Sequence, residues 1–270
     1  MKGQKAPLVS VYREPSTKCY ISKPPCESNL QDIVTNVRDA SRKAGLDMNV
    51  KKTKVMVISK DPEGKKLNIK VGNDTLEQVE KMKYLGTQIT TDIRTDVEID
   101  TRLKLAKAKF SSMSRILTSK RLVMETRMRI MRCYIYSIFS YGCEAWTQSK
   151  VLEDKIDAFE MWCLRKIGQI HWKDHVTNED VLRRLGTERR LLSDIKKRKL
   201  RYYGHIKRRN NILTTAVEGR LEGTRPRGRP RNNWFGDIRE WTNRPAYDCT
   251  RNASDRHLWN VIARQPPRRR

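Results

Sequence analysis

Hydrophobic periodicity changes once in this chain, near Asp92, and that change limits the folds open to it. Upstream, the apolar residues come in short runs. Val55 to Ile58 is largely β-branched with polar flanks, and Leu67, Ile69 and Val71 alternate with polar neighbours. Such runs predict strands, the first of them buried on both faces. Gly72-Asn73-Asp74 predicts a turn with Leu76 to Val79 returning as the second arm of a hairpin, and Tyr84 to Ile89 a further short strand interrupted by Gly86. One amphipathic helix precedes them. It carries Leu30, Ile33, Val34, Val37, Ser41 and Ala44 on one face and Asp32 and Asp39 on the other, with Gly45 at its C-cap.

Downstream of Asp92 the apolar spacing is helical almost throughout. Ile99, Leu103, Ala106, Phe110, Met113 and Leu117 form a stripe, with Arg102, Lys104, Lys107 and Lys109 around the remaining faces. A second helix, roughly from Glu125 to Trp146, is apolar enough at Met128, Met131, Ile135, Ile138 and Phe139 to be largely buried. Ser149 predicts the cap of a third helix with Leu152, Ile156, Phe159, Cys163 and Ile167 inward, and Thr177-Asn178-Glu179-Asp180 resembles a capping box. A very basic helix follows, from about Glu188 to Arg208. Gly, Pro and Arg then dominate to Asn233, and Trp234, Ile238 and Trp241, then Leu258, Trp259 and Ile262, mark a last helical piece. The fold class read from this order is α+β. Its expected divisions are a disordered leader at 1–27, a small α/β unit at 28–92, a helical region at 93–218, a linker at 219–233, and a C-terminal helical segment with a basic tail at 234–270.

Lysine and arginine number 58 against 31 acids, a net charge of +27, which makes DNA and RNA the expected partner class. No apolar run approaches the roughly 20 residues of a spanning helix, so no membrane partner is expected. Residues 1–26 lack the apolar core of a signal peptide. An intracellular, non-secreted protein is the expectation, with the nucleus among its candidate compartments; the sequence does not fix an oligomeric state. The cysteines are scattered without any CxxC pair and read as reduced thiols. His171 and His175, with Cys163 upstream, raise zinc binding, but a fourth ligand at suitable spacing is missing. No metal site is expected, and His205 reads as a packed or phosphate-contacting residue.

Several cations are candidate nucleic-acid contacts, some open to more than one reading. Lys104 and Lys107 fit either a solvated helix face or one turned to nucleic acid. Lys196, Lys197, Arg198 and Arg201 on the basic helix would make phosphate contacts. Arg225, Arg227, Arg229 and Arg231, in the run RPRGRPR, fit an AT-hook entering a narrow minor groove, a phosphate-binding linker, or an unbound linker.

One ordered set of motifs narrows the choice. Gly45, Leu46, Asn49, Lys52, Thr53 and Lys54 resemble the fourth palm motif of reverse transcriptases, and Tyr84-Leu85-Gly86 resembles the motif that follows, where palm meets thumb. The chain is similar over about Leu30 to Arg264 to the reverse transcriptase of non-LTR (LINE-type) retrotransposons. RYYGHIKRR from Arg201, RPRGRPRNNWFGDI from Arg225, and Asp255-Arg256-x-x-Trp259 are similar to segments that trail such enzymes. The resemblance implies a palm remnant, a helical thumb and a basic C-terminal region that binds primer-template or target DNA. Asn49, Lys52 and Lys54 would then be nucleic-acid contacts at the palm's edge.

The resemblance also implies RNA-directed DNA polymerisation with magnesium, which in the intact family needs a Tyr-Ala-Asp-Asp hairpin just upstream of the first matching helix. Here that position reads PSTKCYISKPPCE. Two-metal phosphoryl transfer needs clustered carboxylates, and Asp32 and Asp39 lie roughly 10 Å apart along a helix axis on its solvent face. The expectation is therefore a truncated portion with no catalytic residue and no cofactor of its own. The alternative is a stand-alone basic DNA- or RNA-binding module that uses the Arg-Gly-Arg-Pro arm.

Overall fold

Leu30 and Val34, one helical turn apart, decide how the first helix packs. In the computed structural model, which describes residues 9–13, 27–58, 66–92, 94–209, 212–218 and 233–264, both are buried on helix α1 (Glu27–Lys43). Ile33, placed on the same face by the sequence pattern, is 52% exposed. Leu46 N–H bonds to Ser41 O and Gly45 N–H to Arg42 O, with Gly45 at φ +71°, so the helix ends in a Schellman turn at the glycine the pattern selected.

The described residues group into two compact units, one ending at Arg94 and the other beginning at Thr95. In the first unit, strand β1 (Val9–Arg13) pairs in parallel with β2 (Lys54–Ile58), and β2 pairs in parallel with β5 (Glu77–Gln78). The strand at Val9–Arg13 corrects the expectation of an unstructured leader for those residues; the rest of 1–26 lies outside the described residues. Val55, Met56, Val57 and Ile58 are all buried, as a strand covered on both faces requires. Leu30, Val34, Val55, Ile69, Val71 and Leu76 make the core.

Strand β3 (Lys70–Val71) turns back at Gly72, where a turn was expected, but into β4 (Asp74–Thr75) and not into the expected arm of Leu76 to Val79. The return arm is short, because the chain then leaves to lie beside β2 as β5. Gln31 ties α1 to this hairpin: its amide donates to Lys70 O and accepts from Lys70 N, both at 2.8 Å. Residues 81–90 differ from the single interrupted strand expected. They form a second hairpin, β6 (Lys81–Tyr84) and β7 (Thr87–Thr90), turned at Leu85 and Gly86 with φ +47° and +85°. Positive φ at both central residues gives the turn whose twist suits a two-residue hairpin.

The second unit is helical. Its elements are α2 (Asp96–Ser112), α3 (Ser114–Leu117), α4 (Met124–Met131) continuing through a π-helical turn at Arg132–Tyr136 into α5 (Ser137–Phe139), α6 (Lys150–Gly168), α7 (Asn178–Leu185), α8 (Leu191–Arg209), α9 (Ile212–Glu218), α10 (Trp234–Thr242), α11 (Ala246–Ser254) and α12 (Arg256–Arg264). The long helix expected from Glu125 to Trp146 stops earlier, because Gly142 takes φ +72° and hands over to a short 3-10 turn at Cys143–Ala145. Ile99, Phe110, Met131, Ile135, Phe139, Trp146, Ile156 and Ile167 belong to the larger core, and Leu200, Tyr203, Ile238, Trp241 and Trp259 to a smaller one. The caps fall where expected. Ser149 accepts from Leu152 N–H at 3.4 Å, and Thr177 from Asp180 N–H at 3.2 Å. Mainly helical with a small α/β part, the structure has the α+β class read from the sequence.

Candidate nucleic-acid interface

Helix α8 starts beneath a carboxylate of α6. Buried Glu160 accepts from Arg190 N–H at 2.9 Å and Leu191 N–H at 3.1 Å, so α6 caps the first turn of α8. From there each residue turns 100° about the axis. Ile195, Leu200, Tyr203 and Ile206 face the core, Lys197, Arg201, His205 and Arg209 lie on the other side, and Arg208 reaches back to donate to Ala253 O at 3.1 Å. Asp194 shares that outer side near its beginning.

The structure separates the cations of this helix into two groups. Lys196, expected as a phosphate contact, is instead buried against Glu153 at 2.9 Å, with side-chain exposures of 6% and 5%. Lys199 is buried too. Its ammonium donates to Asp237 Oδ2 at 2.6 Å and Trp146 O at 2.7 Å, and lies 4.8 Å from the Trp234 ring centroid. Burial pulls its pKa down to about 8 from 10.5, against the opposing attraction of Asp237, and burial raises Asp237 in turn. Arg198, half-buried, forks onto Glu144 at 2.6 and 2.9 Å and onto Ser140 at 2.7 Å. Lys197, half-buried, and Arg201, exposed, lie on the outer side.

On α2 the same sorting occurs. Arg102, counted from the sequence among the outer cations, is buried in an ion pair with Glu98 at 2.6 Å. Lys104 and Lys107 are exposed, Lys107 with its ammonium 5.5 Å from the Trp162 ring centroid. Arg127 of α4 is also internal, donating to Ile167 O in the last turn of α6 at 3.0 Å. A chain this basic thus uses some cations as internal ties, each matched to a carboxylate or a helix C-terminal carbonyl.

In the first unit, Asn49 builds a turn. Its Oδ1 accepts from Lys52 N–H at 3.1 Å, and its carbonyl from Thr53 N–H and Oγ1–H at 3.0 and 2.9 Å. Lys51 and Lys52 are exposed on that turn, and Lys54 pairs with Glu77 at 2.8 Å on the strand that follows. Arg225, Arg227, Arg229 and Arg231 lie outside the described residues. Both described flanks of their segment are held by Tyr203, whose hydroxyl donates to Glu218 at 2.6 Å and whose ring lies 6.3 and 5.3 Å from those of Trp234 and Phe235.

The C-terminal segments singled out in the sequence meet on α8. Gly204 sits under Trp259: a Cβ there would come within 2.3 Å of Trp259 Cδ1, and the indole N–H reaches Leu200 O at 2.7 Å. Asp255 caps α12 by accepting from His257 and Leu258 N–H at 2.8 and 3.0 Å. Trp234 N–H bonds Glu144 O at 2.7 Å. Sequence reasoning missed the inward Lys199 and the back-turned Arg208, whose partners Asp237 and Ala253 are far along the chain, and the outward Arg209, which the 3.6-residue spacing of Ile195, Tyr203 and Ile206 could have found.

Among the described residues no group of His, Cys, Asp or Glu is arranged to hold a metal ion. His171 and His175 are exposed and Cys163 is buried. No helix among the described residues is long and apolar enough to cross a membrane.

Over 192 residues, 70% of this chain and 67% of the relative, the sequence is 27% identical to a putative uncharacterized transposon-derived protein of Caenorhabditis elegans. That likeness supports a transposon-related origin. No family model matches the chain, and no solved structure matches it.

Proposed function

We propose that this chain is a portion of a LINE-type retrotransposon reverse transcriptase, comprising palm edge, thumb and basic C-terminal region, whose work is to hold primer-template or target DNA. The observation that carries this reading is the sorting of cations on α8. Lys196 and Lys199 are consumed by internal acids and Arg208 by the Ala253 carbonyl, while Lys197, Arg201, His205 and Arg209 stay on the outer side, where Asp194 is the acid that accompanies them. Successive members at 197, 201 and 205 rise about 6 Å along the axis, a ladder suited to the phosphates of one strand. Lys104 and Lys107 on α2, and Lys52 beside the Asn49 turn, add exposed positive charge. The ordered palm and thumb motifs and the transposon-derived relative support the origin.

The role proposed for this chain is binding; among the described residues no group of carboxylates is arranged for two-metal chemistry. Purified chain, mixed with magnesium, nucleotides and a labelled RNA–DNA primer-template, is expected to retard the hybrid without extending it. Robust extension, or no retardation at low salt, contradicts the reading.

A second reading is a stand-alone binding module built around the Arg-Gly-Arg-Pro arm. The smaller core on α8, to which α10, α11 and α12 contribute, favours it, since Tyr203 fixes both described flanks of the arm. Under that reading R227A with R229A selectively weakens binding to A·T-rich duplex. An equal loss on every duplex returns the arm to phosphate binding.

A further inference from the structure

Trp172 stands 78% exposed, yet the turn that carries it is firmly built. Residues 172–174 form one 3-10 turn, closed reciprocally: Asp174 Oδ2 accepts His171 N–H at 2.8 Å, and the His171 side chain accepts from Asp174 N–H. Entry and exit are both anchored. Gln169, at φ +56°, donates from its amide to Thr118 O at 2.7 Å, and Arg165 donates to Val176 O at 2.8 Å and Asn178 Oδ1 at 2.9 Å. Ile170 and Val176, on either side of the tip, pack against the larger core. The indole is therefore held out by a pedestal that is anchored at both feet.

An aromatic ring placed in water by a preorganised turn forgoes hydrophobic burial, and its contact with the exposed Lys173 ammonium offsets little of that. The charge around it indicates what could cover it. Lys166, His171, Lys173 and His175 are exposed and lie within six residues of Trp172 in the chain, and Lys173 Nζ lies over the ring, 5.9 Å from its centroid. Asp174, the acid within the turn, is occupied by the His171 N–H. An exposed aromatic ring with an ammonium against it matches a base with its phosphate.

We propose that Trp172 is a stacking platform for an unpaired base of single-stranded nucleic acid, with Lys173 drawing in an adjoining phosphate. This rests on the nucleic-acid reading above and adds a substrate class to it. A duplex keeps its base faces stacked on one another, whereas a single strand leaves them available, so the platform selects strands. DNA and RNA share the π-face that the indole recognises.

The test uses the full chain and mixed-sequence DNA and RNA strands labelled with fluorescein, each also presented as a duplex, with binding read by anisotropy. W172A is expected to weaken binding to both single strands by about ten-fold, and to the duplexes by less than about two-fold. The dependence of strand affinity on salt stays unchanged, because no phosphate contact is removed. W172F recovers most of the loss. Circular dichroism and thermal midpoint of W172A match the parent, since the ring is outside the core. Equal losses on strand and duplex, or parent-level strand binding by W172A, overturn the proposal. So does a loss confined to vesicles of phosphatidylserine and phosphatidylcholine, which would make the ring a lipid contact. A parent chain that binds no nucleic acid at all removes the underlying reading; a parent that binds, with W172A its equal, removes only the platform.

Discussion

Lys199 Nζ lies 2.6 Å from Asp237 Oδ2, with neither side chain more than 3% exposed, and this pair joins α8 to α10 across the smaller core. Asp237 also accepts Gln148 N–H at 2.9 Å, which draws the segment after the 3-10 turn to the same point. Removing the lysine alone leaves a buried carboxylate without its counter-ion. K199A is expected to cost about 3–5 kcal/mol in urea unfolding, whereas K199M combined with D237L stays much closer to the parent. A cost under about 1 kcal/mol for K199A contradicts the assignment.

The same pair has a pH signature. Lys199 is held down to about 8 in the folded chain, below its ordinary 10.5. Between those values the unfolded chain binds a proton that the folded chain lacks, so this lysine makes the unfolding free energy rise with pH in that window. Cys143 acts in the opposite sense. Burial lifts it from 9.0 to about 12, so its contribution is complete below pH 9 and is lost as pH rises toward 12. K199M/D237L lacks the first effect and keeps the second. From about pH 7.5 to about pH 9.5 the parent should therefore gain stability relative to the double variant; a relative loss contradicts the sign.

Two glycines are needed for different reasons. At Gly204 the obstacle is the Trp259 ring, and G204A is expected to cost about 2–3 kcal/mol through overpacking. At Gly45 nothing lies within 4 Å of an added Cβ, and only the left-handed backbone at φ +71° resists substitution. G45A should cost about 1–2 kcal/mol. Thermal melts of the two variants measure both, and an undisturbed G204A would contradict the packing of Trp259 on α8.

Thiol chemistry separates the described cysteines. Cys133 is exposed, and Cys143, Cys163 and Cys249 are buried, each with its pKa raised chiefly by burial. C133A should remove one fast-reacting equivalent toward Ellman's reagent at neutral pH, and C143A none until the chain is unfolded. The reverse order contradicts the burial.

The local grammar of the fold was legible because it is written in neighbouring residues. Gly45 as a helix stop, Ser149 and Thr177 as caps, and the strand at Val55 to Ile58 each depend on positions within one or two turns of chain. Long-range partners were hidden. Nothing near Glu77 announces that it pairs in parallel with Lys54, and nothing near Lys199 announces Asp237. The candidate interface suffered most, since Lys196 and Lys197 look alike in sequence and differ only in which side of α8 meets a buried acid. Leu85 and Gly86 carried a hairpin signal that the strand spacing masked.

The central claim is that the outer side of α8 meets nucleic acid through its phosphates. Its most direct measurement is the slope of log affinity against log salt for a DNA duplex, compared between the parent and a variant carrying K197A, R201A and R209A with unchanged circular dichroism. Each lost phosphate contact lowers the slope by about 0.9, so the variant is predicted to be shallower by roughly two to three. A parent whose affinity ignores salt, or a variant with the parent's slope, would contradict it.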